Sequence, residues 1–355
     1  MKRGDHTGND KANKLDEKLP GGKRRFIKKS RTVDVDSLYG GLRAGSRTSL
    51  ARAITLIESV HPEDEAAAAK LLQHVLPHTG KSVRLGVSGV PGAGKSTFIE
   101  TFGHMLCEAG HRVAVLAIDP SSTLSGGSIL GDKTRMEKLT RHRRAFIRPS
   151  PSSGTLGGVH RKTRETISLC EAAGFDVIIV ETVGVGQSET AVRDMVDFFM
   201  LLVLTGAGDD LQGMKKGIME MVDLLIVHKA DGDNVKRAKR TVREYKQLYH
   251  FLQQATPGWE TKVKAVSSID GTGHDEVWDI VQTFQAKMKE SDVWEERRRR
   301  QQRTWFREMI IEQLYNHFFH DPEQKELVAS LEKLVVSGEL AVGEAVQRLF
   351  HRTKK

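Results

Sequence analysis

The sequence predicts an α/β fold with a doubly wound, mostly parallel sheet, and two observations lead to this prediction. Apolar runs rich in β-branched residues and leucine recur along the chain without alternating polar residues, as is typical of strands buried on both faces. Segments with helical spacing separate these runs, so consecutive strands should pair in parallel through right-handed crossovers. The predicted strands are 83–88, 112–119, 146–148, 177–181, 199–204, 224–228 and 263–267.

Predicted helices flank the sheet at both ends. Residues 47–78 contain two helical patterns, which Pro62 divides. After about residue 285 the chain becomes a long charged helix, in which apolar residues recur at every fourth position from Phe306 to Phe318. Such an apolar stripe needs a partner surface, either on the same subunit or in a dimer interface.

Length and composition limit the functional classes. With 355 residues, the chain is long enough for one large α/β domain with helical additions. No stretch approaches the roughly 18 apolar residues of a membrane span, so we predict a soluble protein with no membrane partner. Cys107 and Cys170 lie in predicted helices without metal-ligand spacing, which favours reduced core residues, no zinc site and a cytoplasmic location.

The net charge of +9 is concentrated in the N-terminal segment. Residues 1–31 contain eleven Lys or Arg and four Asp or Glu, which leaves a net charge of about +2 on the other 324 residues. This segment has almost no apolar spacing, which predicts disorder, and it lacks the apolar core of a secretory or transit peptide. Because the folded body carries little excess charge, we expect no nucleic-acid partner.

The most informative local feature is Gly-Val-Pro-Gly-Ala-Gly-Lys-Ser-Thr at residues 89–97, which matches the pattern G-x-x-x-x-G-K-[ST] between a predicted strand and a predicted helix. Its glycines let backbone N–H groups wrap around phosphates at the positive end of the helix. Lys95 can place its charge near the β- and γ-phosphates, and Ser96 can present a hydroxyl to Mg²⁺. The predicted phosphate-binding residues are Gly92, Ala93, Gly94, Lys95, Ser96 and Thr97.

Carboxylates at the ends of other strands extend this site. Glu181 ends an apolar strand shortly before Gly184, as in the second switch of GTPases, where an Asp is usual. Asp119 ends another strand, and Asp132 lies in a glycine-rich stretch that can close over phosphate and metal. All three carboxylates are candidate Mg²⁺ ligands, although a salt bridge would also use Glu181 and a turn or helix cap would also use the two aspartates.

His228-Lys229-Ala230-Asp231 follows a later apolar strand, where GTPases carry Asn-Lys-x-Asp. The Asp231 carboxylate can accept hydrogen bonds from guanine N1–H and the 2-amino group, so discrimination against adenine of the order of 10²-fold is expected. Lys229 would lie along the base and ribose, and the pair Ser267 and Ser268 could supply an N–H to guanine O6. His228 departs from the pattern, because a neutral imidazole donates only one hydrogen bond, and we expect this to affect nucleotide affinity.

Together these motifs resemble the MeaB/ArgK family of GTPases, which chaperone adenosylcobalamin-dependent methylmalonyl-CoA mutase. The resemblance covers most of residues 45–350. Beyond the phosphate loop and the strand end at Glu181, it is carried by segments 119–123, 126–136, 157–158, 170–174, 181–189 and 206–213. It implies a homodimeric P-loop NTPase that converts GTP to GDP with Mg²⁺, binds an acyl-CoA mutase, gates loading of its cobalamin, and protects or reactivates it.

The resemblance also implies roles for individual residues. Gln187 could orient the attacking water, although it follows Gly184 by three positions, and a surface glutamine is its alternative role. The segment 204–216 resembles the family's third switch, in which Gln212 and Lys215 reach the nucleotide when the mutase is bound; the alternative for Lys215 is an exposed helix lysine. The implied Mg²⁺ shell is Ser96, Asp119, Asp132 and Glu181. The implied catalytic residues are Lys95, Asp119, Glu181, Gln187 and Lys215.

Four segments are therefore predicted: a disordered basic tail at 1–35, an N-terminal helical segment at 36–80, a P-loop GTPase domain at 81–284 and a C-terminal helical dimerisation arm at 285–355. Three other functions share some of these features. A P-loop kinase would consume nucleotide only with an acceptor and would prefer ATP. A metallochaperone GTPase would display a Cys- or His-rich delivery motif, and a nucleic-acid scaffold would carry its basic residues on the folded body.

Overall fold

In the part of the chain that the structure describes, seven strands form one sheet, and every strand pair in it is parallel. The computed structural model describes residues 33–59, 61–118, 136–150, 156–182, 188–206 and 216–351, and residues 34–355 form one compact unit. In chain order the strands are Val83–Gly89 (β1), Val113–Ile118 (β2), Ala145–Ser150 (β3), Val177–Thr182 (β4), Phe198–Val203 (β5), Leu224–Val227 (β6) and Lys262–Ala265 (β7). Their order across the sheet is β3-β2-β4-β1-β5-β6-β7. The predicted fold class is thus confirmed.

The strands lie where the apolar runs predict them, with ends that differ by at most two residues. One difference bears on the site: β7 ends at Ala265, although the sequence predicts a strand to Ser267. The Ser267 N–H donates to the carbonyl of Thr272 at 3.0 Å, so the chain has already left the sheet edge at this point. Both predicted base-contacting serines therefore lie in a loop.

Helices cover the sheet and continue after it. They are Val35–Arg43 (α1), Arg47–Glu58 (α2), Pro62–Val75 (α3), Lys95–Glu108 (α4), Glu137–Arg141 (α5), Leu156–Ala172 (α6), Ser188–Arg193 (α7), Lys216–Met219 (α8), Val235–Tyr249 (α9), His274–Glu290 (α10), Val293–His320 (α11), Pro322–Val336 (α12) and Val342–His351 (α13). Short 3₁₀ helices occupy Leu76–His78 and Gly232–Asn234. No helix of the described residues has the length and apolar character that a bilayer span requires.

The main apolar core lies between the sheet and the helices α4 and α10. Phe98 and Phe102 of α4 and Phe284 of α10 are fully buried in this core, with Leu85 and Met200 of the sheet. The two phenylalanines of α4 stack at 5.4 Å between ring centroids. This packing fixes the start of α4, and with it the phosphate loop, against the carboxyl edge of the sheet.

A network of charged residues ties α11 to the opposite, amino-terminal edge of the sheet. Asp197 and Asp223 directly precede β5 and β6 and are buried. Arg298 donates to both carboxylate oxygens of Asp197 at 2.8 and 2.7 Å, and Arg193 pairs with Asp223 at 2.6 Å. Arg297 donates to the Asp197 carbonyl, and burial lowers its pKa to about 10, so it stays charged at neutral pH. The first turns of the C-terminal arm are therefore held by buried ionic contacts.

The rest of the arm packs only partly on its own chain. Leu331, Leu340 and Ala345 form a small cluster between α12 and α13. The stripe on α11 stays open: Phe306 is 68% exposed and Leu314 is 64% exposed. Packing on the same subunit, one of the two options that the sequence leaves open, covers only the end of the stripe, where Phe318 stacks on Phe350 of α13 with 5.4 Å between ring centroids.

Candidate nucleotide-binding site

The phosphate loop follows β1 and ends in the first turn of α4, as its sequence predicts. Two of its glycines are required by close contacts. A Cβ atom at Gly89 would lie 2.5 Å from the carbonyl oxygen of Leu202, and one at Gly94 would lie 2.7 Å from Nδ1 of His228. Gly94 also has a φ of 85°, a left-handed conformation that residues with side chains rarely adopt. The loop thus packs directly against the ends of β5 and β6.

Lys95 lies inside this loop and is 9% exposed. Its Nζ atom donates to the carbonyls of Gly89 at 2.8 Å and Val90 at 3.4 Å. Burial lowers the pKa of Lys95, and the nearby carboxylates of Glu181 and Glu189 oppose this shift. The ammonium group is therefore held at the centre of the loop, where phosphate oxygens would compete with the two carbonyls for its protons.

Ser96 and Glu181 come together from α4 and β4. The Ser96 hydroxyl donates to Oε1 of Glu181 at 3.2 Å, and Glu181 is 5% exposed. A hydroxyl and a carboxylate are oxygen ligands of the kind that Mg²⁺ prefers, so this pair fits part of the predicted metal shell. Asp119 and Asp132 lie outside the described residues. The residues that are described contain no cluster of three or more His, Cys, Asp or Glu side chains that could hold a metal ion.

The predicted base-recognition residues meet where β6 and β7 end. The Ser267 hydroxyl donates to Oδ2 of Asp231 at 3.0 Å, which orients this carboxylate. Lys229 has a φ of 56°, a strained value for a residue with a side chain, and Asn234 stabilises it by donating from Nδ2 to its carbonyl at 2.7 Å. Thr205 in turn donates to Oδ1 of Asn234 at 2.7 Å. The loop is held by its own side chains in the conformation observed.

His228 links the segment after β6, which contains the predicted base-recognition residues Lys229 and Asp231, to the phosphate loop. Its Nδ1 atom lies 2.6 Å from the carbonyl oxygen of Ala93, and its Nε2 atom lies 2.7 Å from Oγ of Ser268. The ring is 2% exposed, and burial lowers its pKa, with a further decrease from Lys229 and an opposing effect of the Ala93 hydrogen bond and Asp231. The imidazole is therefore neutral at neutral pH, and its contact with the Ala93 carbonyl is a hydrogen bond when its single proton is on Nδ1.

Most of the predicted site residues share this edge of the sheet, and the others cannot be placed. Thr97 lies on the exposed side of the first turn of α4. Gln187 and Lys215, with Gly184 and Gln212, lie outside the described residues, as do the two metal candidates already named. Their assigned roles stay predictions.

Two residues near the site are missing from the sequence prediction. One is Asn234. The sequence pattern that could have identified it is its position three residues after Asp231 and directly before the basic helix α9. His274 is the other: it begins α10 and lies 3.2 Å from Oγ of Ser268 through Nε2. A lone histidine after a glycine-rich turn carries no recognisable pattern, so only the fold identifies it.

The sequence model of one protein family, described as Methylmalonyl Co-A mutase-associated GTPase MeaB, matches residues 50–323. The chain belongs to the MeaB family. A Mus musculus protein, methylmalonic aciduria type A homolog, mitochondrial, is 48% identical over 90% of this chain and 80% of its own length. The GTPase ArgK of Escherichia coli is 49% identical over 78% of this chain and 84% of its own length.

A solved crystal structure described as LAO/AO transport system kinase has the same fold. It shares 37% identity with this chain at a TM-score of 0.72, over 90% of this chain and 98% of that chain. These matches confirm the predicted resemblance to the MeaB/ArgK family, the P-loop NTPase fold and the GTPase activity. Membership in the MeaB family also accounts for the motifs at residues 170–174 and 206–213, which a phosphate loop alone does not need.

The two buried histidines make stability depend on pH. Burial lowers the pKa of both His228 and His274 below the ordinary value of 6.5, so folding favours their neutral forms. The stability gained in this way is present above pH 6.5 and is lost as the pH falls below it, because the unfolded chain then binds more protons. We expect the free energy of unfolding, measured by urea titration, to fall between pH 7.5 and 5.5.

The variant His228→Asn should lose less stability than the original protein over this interval, since one of the two buried rings is removed. The matched control is His250→Asn, which removes an exposed imidazole and leaves both buried rings in place. An equal decrease for His228→Asn and the original protein would contradict the assignment.

Proposed function

We propose that this MeaB-family GTPase is a chaperone for an adenosylcobalamin-dependent acyl-CoA mutase of the methylmalonyl-CoA mutase type. In this role it binds the mutase, gates loading of the cofactor, and protects or reactivates the enzyme. Support comes from the family description, which names association with methylmalonyl-CoA mutase, and from the similarity to the mouse methylmalonic aciduria type A homolog. The cytoplasmic location predicted from the two buried, unpaired cysteines is part of the proposal.

The observation that carries the nucleotide part of the proposal is the contact between Ser267 and Asp231. It presents an oriented carboxylate at the end of the same sheet edge that carries the phosphate loop. Guanine offers two N–H groups to such an acceptor, whereas adenine offers a lone pair there and leaves the carboxylate unpaired. Lys229 would cover the ribose side, since its Cε atom would lie 3.7 Å from a Cβ atom at Gly94. GTP and GDP are therefore the proposed ligands.

Hydrolysis in this site is a matter of position and charge. Ser96 and Glu181 would hold Mg²⁺, together with Asp119 and Asp132, and a bound Mg²⁺ would neutralise charge on the β- and γ-phosphates. Lys95 would exchange its two carbonyl partners for phosphate oxygens and stabilise the charge that develops on the transferred group. Gln187 and Lys215 are the proposed water-positioning and partner-dependent residues.

The proposed homodimer uses the open stripe of the arm. On α11 the exposed large apolar side chains include Phe306, Ile311, Leu314 and Tyr315, and on α13 they include Val346 and Phe350. An isolated chain would expose this apolar surface to water, and a second copy of the same arm would cover it. A dimer would also present two nucleotide sites to the mutase.

A P-loop kinase is the second candidate, because the solved relative at 37% identity is described as a kinase. A kinase would release no phosphate without an acceptor, whereas the proposed GTPase releases phosphate from GTP and water alone. Asp231 favours the GTPase, since it selects guanine and kinases of this fold class generally use ATP.

We expect Asp231→Asn to lower GTP affinity by about 10²-fold, because its amide donates where guanine also donates. The same amide can donate to the 2-oxo group of xanthine, so affinity for xanthosine triphosphate should rise. Isothermal titration calorimetry with GTP and with xanthosine triphosphate measures both affinities. The matched control is Asp233→Asn, which changes an exposed carboxylate two residues away. If both variants bind GTP as the original protein does, guanine recognition lies elsewhere.

We expect Lys95→Ala to reduce GTP turnover by about 10² to 10³-fold, since it removes a charge placed at the transferred phosphoryl group. Phosphate release without any added acceptor is the measurement, and thermal unfolding checks that the variant is folded. Lys236→Ala, in an exposed lysine of α9, should keep full turnover. Unchanged turnover in the folded Lys95 variant would refute the assigned site.

The mutase partner is tested with purified methylmalonyl-CoA mutase and the full chain on a sizing column. We expect a complex whose affinity differs between GDP and a non-hydrolysable GTP analogue. A nucleotide can change binding of the mutase only if it binds the free and the mutase-bound GTPase with different affinities. A cobalamin-independent acyl-CoA enzyme serves as the control. Absence of a complex with either nucleotide, while GTP hydrolysis is intact, would leave a GTPase with another client.

A further inference from the structure

His274 is a buried histidine that no step of the proposed hydrolysis requires. It is the first residue of α10 and is 1% exposed. Its ring stacks on Phe98 of α4 with 5.3 Å between ring centroids, and Phe98 in turn meets His228 edge-on at 6.0 Å. The two histidines therefore lie on one aromatic residue directly below the phosphate loop.

A continuous series of polar contacts joins these two rings. It runs from the Ala93 carbonyl to Nδ1 of His228 at 2.6 Å, and from Nε2 of His228 to Oγ of Ser268 at 2.7 Å. It continues from this oxygen to Nε2 of His274 at 3.2 Å, and from Nδ1 of His274 to the Gly271 carbonyl at 3.1 Å. Side chains from three separate segments thus connect the start of α10 to the phosphate loop.

Each of these four contacts needs one proton, and neutral groups supply only three. Both ends are carbonyl oxygens, which can only accept. Each histidine has one N–H in its neutral form, and Ser268 has one O–H. Burial lowers the pKa of both histidines, so no extra proton fills the series at neutral pH.

The distances limit the unfilled contact to one of the two that His274 makes. The two contacts of His228 are the shorter pair and the two contacts of His274 are the longer pair. When the two short contacts are filled, His228 donates from Nδ1 to Ala93 and accepts from Ser268 at Nε2, which leaves one proton for the two contacts of His274. The Gly271 carbonyl already accepts from the backbone N–H of His274 at 3.5 Å, so we assign the remaining proton to Nε2 of His274, toward Ser268, and leave the contact from Nδ1 to Gly271 unfilled. The charged neighbours of the pair are Lys229 and Asp231 beside His228, and Asp270 and Asp275 beside His274.

We propose that His274 is a positioning residue of the nucleotide site: its Nε2–H donates to Ser268 and thereby fixes the tautomer in which His228 holds the phosphate loop at Ala93. The inference rests on the proposed GTP site and deepens it. An asparagine at position 228 has a fixed donor and a fixed acceptor on one amide, so it has no tautomer that a neighbouring residue must fix. A neutral imidazole can carry its proton on either nitrogen. A residue that favours the Nδ1 tautomer therefore keeps the Ala93 carbonyl hydrogen-bonded.

The test separates the donor of His274 from its packing. His274→Phe keeps an aromatic ring to stack on Phe98 but removes the Nε2–H, whereas His274→Gln keeps a terminal N–H that can reach Ser268. We expect His274→Phe to weaken binding of GDP and of a non-hydrolysable GTP analogue about tenfold, the effect of one lost hydrogen bond in a buried series. His274→Gln should recover most of this loss.

A direct readout is the tautomer of His228 in long-range ¹H–¹⁵N correlation spectra. The original protein should show protonated Nδ1, and His274→Phe should show a mixture of both tautomers. A His228 protonated at Nε2 in the original protein would overturn the inference, as would unchanged affinity and tautomer in His274→Phe. These spectra need no nucleotide, so failure of the original protein to bind guanine nucleotides would refute the proposed function and leave the inference on the two histidines testable.

Discussion

The parallel register of the sheet is the constraint on which the nucleotide site depends. Since all strand pairs run in the same direction, the carboxyl ends of β1, β4 and β6 meet at one edge, where the chain leaves the ladder and its side chains become available. Glu181 lies at the end of β4 and His228 directly follows β6, and both contact the segment after β1, Glu181 at Ser96 and His228 at Ala93. No single one of these segments could form the site.

The opposite edge of the same sheet holds the C-terminal arm. Asp197 and Asp223 are buried there, and their charges are matched by arginines of α11 and α7. Burying such charges is costly unless every partner is present, so the attachment of α11 is specific in geometry. Arg193 ends α7, the next described helix after strand β4, and it pairs with the same Asp223 that lies beside Arg297 of α11.

The exchange of the usual asparagine for His228 shows how a departure from a motif is accommodated. The ring reaches the Ala93 carbonyl, as an amide would, but it is larger and needs the space that Gly94 leaves by having no Cβ atom. It also has a second nitrogen that requires a partner when it is buried, and Ser268 provides one. The motif thus keeps its contact to the phosphate loop at the cost of a larger polar network.

The sequence by itself determined the class of the fold and predicted the phosphate, base and magnesium residues, because apolar runs and the phosphate-loop pattern are local properties of the chain. It could not determine what His228 contacts, that His274 lies beside it, or that Asn234 holds Lys229, since these pairs are distant or unpatterned in sequence. It also left open whether the chain itself covers the stripe from Phe306 onward. Only the tertiary structure decided these points, because hydrogen-bond partners and exposure depend on how helices and loops pack around the sheet.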